Sequence, residues 1–121
     1  MLADSNLIIY AASGNYPELL NWFLDNRVFV SAINLVETLG FHKLKLDEKP
    51  ALEMIFSSLN ILYPTPEIFQ TAIELRQQRA MSLGDALIAA TALYHNLSLA
   101  THNTEDFIWI SSLTIIDPLE A

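Results

Sequence analysis

The fold of this chain is decided by its first twelve residues, MLADSNLIIYAA, from Met1 to Ala12. A short apolar run ends at Asp4, and the segment from Leu7 to Ala12 then continues without a polar interruption. This pattern predicts a buried strand that leads directly into a short helix. The same alternation of strand and helix continues along the chain, so we expect a mostly parallel sheet with helices on both faces.

Capping residues mark the starts of several later helices. Ser31 is a favoured N-cap, and Thr65-Pro66 places a capping hydroxyl before a proline at the first helical position. Asp47 is a further cap, for a helix that starts near residue 48. The other helices are predicted near residues 17–26, 32–44, 66–79 and 83–95, and the strands near 1–3, 28–30, 61–63, 97–100 and 113–116.

Length and composition limit the class of protein. With 121 residues and 52% apolar side chains, the chain suits one domain, residues 1–121, with its own core. The absence of cysteine excludes disulfides and zinc–thiolate sites and fits a cytoplasmic protein. The longest apolar runs are far shorter than the roughly 20 residues of a membrane span. We therefore expect a soluble protein without a membrane partner.

The charge balance argues against a general polyanion binder. The net charge is −8, from 14 acidic and 6 basic residues. Proteins that bind nucleic acid tightly and without specificity carry an excess of lysine and arginine on one face. Any nucleic-acid binding by this chain therefore depends on local charge.

Four carboxylates lie in or beside the most apolar stretches of the sequence: Asp4, Glu37, Asp85 and Asp106. Burying an unpaired carboxylate costs several kcal/mol or forces it to take up a proton. Asp4 follows the first strand, and Asp106 lies in the loop after a later one. In parallel sheets, ligands bind at the carboxyl ends of strands. If all four carboxylates converge, they need bound cations, and oxygen ligands select Mg²⁺ or Mn²⁺.

Three of these carboxylates also have a purely structural interpretation. Asp4 can cap the helix that follows it, and Asp85 stands three residues after Ser82 in a capping-box pattern. Asp106 lies in a polar loop and needs no special explanation.

Glu37 is harder to explain by structure alone. It shares a predicted helix face with Ile33 and Phe41, which should pack inward. A buried ion pair is the structural alternative, but the nearest basic residue, Lys43, lies on a different face.

Four segments of the chain resemble the signature blocks of PIN-domain nucleases, in family order and spacing. The closest likeness is to the small VapC-type toxins of prokaryotic toxin–antitoxin pairs. The resemblance covers nearly the whole chain. Its segments are LADSNLI from Leu2, SAINLVETL from Ser31, LGDALIAATA from Leu83 and LATHNTEDF from Leu99.

The resemblance implies a three-layer α/β/α fold and an endoribonuclease that depends on Mg²⁺ or Mn²⁺. It assigns catalysis and metal binding to the four carboxylates, with Asp4 and Asp85 as the firmest metal ligands. It also implies an RNA substrate, a protein antitoxin whose basic side chains cover the site, and a homodimer. The residues that it places around the metals are Ser5 or Asn6, Thr101 and Asn103, and the candidate RNA-binding patch is Lys43, Lys45 and Lys49.

Some alternatives remain open. The three lysines fit a solvated helix end as well as an RNA contact. The apolar face of Leu52, Ile55, Phe56 and Leu59 either completes the core or forms the dimer contact. A PIN-like fold can also serve as a binding or scaffold module without catalysis. A haloacid-dehalogenase-like phosphatase is disfavoured, because it needs a second aspartate where this chain has Asn6.

Overall fold

The computed structural model describes residues 1–120, and within that range five strands form one all-parallel sheet. The sheet order is β3-β2-β1-β4-β5. In the register of the central strands, Leu2 pairs with both Phe29 and Leu99. The prediction of a mostly parallel sheet is confirmed. The strands are β1 (Leu2–Ala3), β2 (Phe29–Ser31), β3 (Asn60–Leu62), β4 (Leu99–Ala100) and β5 (Ile115–Ile116).

Helices fill the connections between the strands. Ser31 and Thr65 accept backbone hydrogen bonds at the starts of two of them, as the sequence predicts. None of the helices in the described range is long and apolar enough to cross a membrane. They are α1 (Ser5–Ala12), α2 (Pro17–Asp25), α3 (Ala32–Leu39), α4 (Glu48–Ser57), α5 (Pro66–Gln78) and α6 (Leu83–Tyr94), with a 3₁₀ helix at Thr104–Asp106.

The central strands send alternate side chains to two separate apolar cores. Leu2 and Leu99 pack with residues of α5 and α6 on one face. Ala3 and Ala100 pack with residues of α1, α2 and α4 on the other. This alternation is the period of two expected for extended strands. The resulting α/β/α arrangement of three layers confirms the predicted fold class.

The apolar face of α4 belongs to the core. Leu52, Ile55 and Phe56 are at most 5% exposed, and Leu59 packs against the same cluster. Of the two alternatives left open by the sequence, core packing is therefore the observed one. This face is not available for a contact between two copies of the chain.

Helix α3 is shorter than predicted and turns a different face inward. It ends at Leu39 rather than at Leu44: Gly40 takes the C-cap position, and glycine is a poor helix former. Phe41 thus lies outside the helix and is 49% exposed. The buried positions of α3 are the polar residues Asn34 and Thr38. Ile33 packs partly buried against the core, as predicted, but Glu37 and Phe41 are exposed, so the inward face predicted for these two is wrong.

The strand order creates a crevice at one edge of the sheet. The chain builds β1, β2 and β3 outward in one direction and then returns to place β4 on the other side of β1. At such a reversal, the connections leaving the two adjacent strands diverge and leave space beyond their carboxyl ends. The residues that follow β1 and β4, Asp4 and Thr101, lie at this position.

Candidate active site

Asp4 is held in the crevice between β1 and β4. Its carboxylate oxygen Oδ2 accepts a hydrogen bond of 2.9 Å from the hydroxyl of Thr101, and both residues are buried. The Thr101 hydroxyl oxygen in turn accepts a hydrogen bond from the backbone N–H of Asn103. Asp4 occupies the N-cap position of α1, but its side chain makes no capping hydrogen bond. Capping therefore does not explain this carboxylate.

Glu37 reaches the same region from α3. Its Oε1 accepts a hydrogen bond of 2.8 Å from the hydroxyl of Ser5, the residue after Asp4. The Ser5 oxygen accepts a hydrogen bond, also 2.8 Å, from the side-chain amide of Asn34. Asn34 is 0% exposed and also accepts a hydrogen bond from the backbone N–H of Ser31. A chain of polar contacts thus connects α3 to the start of α1.

The other two carboxylates, Asp85 and Asp106, are carried by two further elements. Asp85 is half-buried in the first turn of α6, where its backbone N–H donates to the Ser82 hydroxyl. The predicted cap is therefore present and uses the backbone N–H of Asp85, while a side-chain hydrogen bond with Ser82 lowers the pKa of the Asp85 carboxyl against the effect of burial. Asp106 is exposed at the end of the 3₁₀ helix.

Mutual repulsion couples the carboxylates. Burial raises the pKa of Asp4 to about 6; the hydrogen bond from Thr101 opposes this, and the negative charges of Asp85 and Glu37 add to it. Burial also raises the pKa of Asp85, and the charges of Asp106 and Glu37 raise it further. The structure thus brings the four predicted carboxylates into one electrostatic field.

The oxygens of the four carboxylates are not close enough together to bind one ion at the same time. No three of these four carboxylates, all within the described residues, have oxygens that lie within 4.8 Å of one another. Two oxygens bound to the same Mg²⁺ at about 2.1 Å are at most roughly 4.2 Å apart. The chemistry of the donors nevertheless fits Mg²⁺ or Mn²⁺, because all are oxygens and two have a raised pKa that a cation would lower.

A different group in the described part of the chain has that tighter spacing. His102, Asp117 and Glu120 offer ligand atoms within 4.8 Å of one another. Here His102 Nδ1 lies 3.0 Å from Asp117 Oδ2, so a simple hydrogen-bonded pair accounts for two of the three residues. This group was not predicted from the sequence.

The other predicted residues divide into two groups. Ser5, Thr101 and Asn103 contact the site through the hydrogen bonds described above, whereas Asn6 is exposed on the first turn of α1. The lysines are exposed on α4 and on the segment that precedes it. They are Lys43, Lys45 and Lys49.

Two residues of the site were missed by the sequence interpretation, Asn34 and Gly84. Asn34 is buried at the third position of α3, where it completes a capping box with Ser31. Gly84 is the second residue of α6, and the Glu37 carboxylate lies against it. The sequence signal for Gly84 was a glycine, a poor helix former, at the start of a helix that is otherwise rich in alanine and leucine.

An all-parallel α/β fold with a strand reversal defines a class of proteins that bind their ligands beyond the carboxyl ends of the strands at that reversal. Within that class, the PIN domain family model matches residues 1–110. The chain therefore belongs to the PIN domain family, whose members are nucleases. No curated protein sequence matches this chain.

Three solved structures illustrate the similarity. A chain of a toxin–antitoxin complex from Klebsiella pneumoniae is 31% identical, with a TM-score of 0.79 and coverage of 99% of this chain and 98% of that one. A chain of VapBC-1 from nontypeable Haemophilus influenzae is 26% identical, with a TM-score of 0.80 and 98% coverage of both chains. A chain of VapBC2 from Rickettsia felis, solved bound to a promoter DNA fragment, is 25% identical, with a TM-score of 0.79 and coverage of 95% of this chain and 96% of that one.

Proposed function

We propose that this protein is a metal-dependent endoribonuclease and the toxin of a toxin–antitoxin pair. The observation that carries the proposal is the coupled group of carboxylates at the strand reversal, with Asp4 buried and its pKa raised. Because members of the PIN domain family are nucleases, cleavage of a phosphodiester bond is the reaction that we assign to this acidic group.

Asp4 and Asp85 are the residues that we expect to hold Mg²⁺ or Mn²⁺, with Asp106 and Glu37 completing the set. A divalent ion bound there would act as a Lewis acid that lowers the pKa of a water molecule and offsets charge on the phosphate. Keeping Asp4 charged in a buried position costs free energy. A bound cation would remove this cost, so the free energy recovered would add to the affinity for the cation.

The chain itself contributes position and proton transfer. Thr101 fixes the orientation of Asp4, and Ser5 fixes that of Glu37. Glu37 is exposed, so its carboxylate is accessible to orient the attacking water or to take up its proton. In-line attack of this water on phosphorus breaks the phosphodiester bond, and the leaving oxygen takes up a proton.

The substrate must be bound against an unfavourable overall charge. Two divalent ions would neutralise only half of the net charge of −8. We propose that Lys43, Lys45 and Lys49 bind the RNA backbone, because all three are exposed in the stretch that follows the helix carrying Glu37. Binding by so few cations should be weak and strongly dependent on salt.

An antitoxin is supported by the related complexes and by the charge of the site. The matching chains come from toxin–antitoxin structures. An arginine side chain can pair with a carboxylate through two parallel hydrogen bonds, so a basic antitoxin segment would neutralise this acidic site. We place the pair in the cytoplasm. We also propose a homodimer, which must use a surface other than the buried face of α4.

The first test is cleavage of a single-stranded RNA by purified protein. We expect cleavage with Mg²⁺ or Mn²⁺, none with excess chelator, and loss of activity in Asp4→Asn. The matched control is Asp25→Asn, which alters an exposed carboxylate at the end of α2 and should cleave normally. Equal cleavage with and without chelator would refute metal dependence. A folded wild-type protein that binds RNA or antitoxin but never cleaves would favour the scaffold alternative.

A further inference from the structure

The Glu37 carboxylate packs directly against the backbone of Gly84. A Cβ atom added at Gly84 would overlap Glu37 Oε2 and lie 2.9 Å from its Cδ. Real Cβ atoms essentially never approach a heavy atom so closely. Both atoms belong to the far end of a flexible side chain, so a larger residue at position 84 would displace Glu37 and leave the backbone in place.

The other side of the same carboxylate is fixed by hydrogen bonds. Ser5 donates to Glu37 Oε1, and the buried amide of Asn34 donates to the Ser5 oxygen. One oxygen of Glu37 is thus oriented by this pair, while the other lies against Gly84. A long, exposed side chain is held between α1 and α6.

Backbone freedom does not explain the glycine. Gly84 lies within α6 and has no positive φ angle, so an alanine would fit the helical backbone. Alanine is also the better helix former, and glycine in a helix lowers stability. The space that Gly84 leaves for Glu37 is the remaining explanation.

We propose that Gly84 is a positioning residue of the nuclease site, which allows the Glu37 carboxylate to lie between Ser5 and the first turn of α6, beside Asp85. This inference rests on the proposed function. It predicts that Gly84→Ala moves a required carboxylate while the fold becomes no less stable.

The test combines Gly84→Ala and Glu37→Ala, singly and together. In chelator-treated protein, Gly84→Ala should raise Tm by about 2–4 °C when Glu37 is already alanine, as expected for the gain in helix propensity. In the wild-type background the gain should be smaller or absent, because the displaced carboxylate loses its bond to Ser5. This difference in Tm needs no metal, substrate or activity. Equal gains in both backgrounds would overturn the contact.

RNA cleavage supplies the second readout. Gly84→Ala should lower kcat at least about tenfold with little change in KM, since the group displaced acts on the reacting atoms. Ser57→Ala is the matched control: it also places alanine in a helix, but at the exposed end of α4, which leads to the opposite edge of the sheet. It should leave kcat and KM unchanged.

The outcomes separate the two proposals. A kcat for Gly84→Ala equal to that of the wild type would overturn the positioning role. If wild-type protein cleaves no RNA under any metal condition, the proposed function fails. The comparison of Tm values then still decides whether Gly84 and Glu37 are coupled.

Discussion

Asp4 is the most buried of the four carboxylates, and its position has an energetic cost. Its carboxyl group has a pKa of about 6 in the folded protein, against 3.8 in a model peptide. The folded state therefore binds this proton more tightly than the unfolded state does. Without a cation, the charged form of Asp4 lowers the free energy of unfolding. This effect is complete well above pH 6, decreases between about pH 6 and pH 4, and is absent below about pH 4.

Replacing Asp4 by asparagine should therefore stabilise the metal-free protein at neutral pH. The difference between the two pKa values corresponds to at most about 3 kcal/mol of unfolding free energy at pH 7.5. The gain should disappear near pH 4, where aspartic acid is protonated in both states. Urea unfolding in chelator at both pH values measures it, with Asp25→Asn as the control. The same gain at pH 4 as at pH 7.5 would contradict the burial argument.

Thr101 offers a second test at the residue scale. Thr101→Val keeps the shape of the buried side chain but removes the hydroxyl that donates to Asp4. We expect a loss of about 1–3 kcal/mol at pH 7.5, because a buried carboxylate loses its partner and the backbone N–H of Asn103 loses its acceptor. Thr91→Val is the matched control, since this buried hydroxyl donates only to a backbone carbonyl of its own helix. Equal losses in the two variants would show that Asp4 is not involved.

Individual residues differ in how well the sequence predicted them. Asp4 and Asp85 stand next to apolar runs, a signal that needs no tertiary information. Glu37 lies in the site, but it is not on a buried helix face as predicted, because α3 buries Asn34 and Thr38 instead. Gly84 could not be assigned, since its role depends on a side chain 47 positions away that packs against it only in the fold.

At the scale of elements, local chemistry predicted the starts of helices better than their ends. Ser31 and Thr65 supply caps that act within three residues, so their effect is visible in the sequence. The end of α3 was misplaced by five residues, at Leu44 instead of Leu39, because an apolar pattern continues beyond Gly40. Periodicity alone does not reveal where a helix stops.

The buried face of α4 leads to a prediction for this element. Leu52 is 1% exposed, so Leu52→Ala should cost about 2–5 kcal/mol of unfolding free energy through lost burial and a cavity. The control is Met54→Ala, an exposed apolar residue of the same helix. Urea unfolding measures both. Sedimentation of Leu52→Ala should give the wild-type mass; dissociation with unchanged monomer stability would instead indicate a dimer contact.

At the scale of the whole molecule, topology rather than local sequence assembles the site. Asp4 and Thr101 are 97 residues apart, and they meet because β1 and β4 are neighbours across the reversal of strand order. Alternation of strands and helices predicts a parallel sheet, but it does not give the order of its strands. The convergence of the carboxylates was therefore a hypothesis until the fold was known.

The most direct test of the proposed nuclease site is to determine which residues bind a divalent ion. Calorimetric titration of Mn²⁺ should show binding to the wild type, at least about tenfold weaker binding to Asp85→Asn, and unchanged binding to His102→Ala. His102 belongs to the other group with metal-ligand spacing, so this variant separates the two sites. Full affinity in Asp85→Asn together with lost affinity in His102→Ala would place the ion away from the carboxylate cluster and contradict the proposed nuclease site.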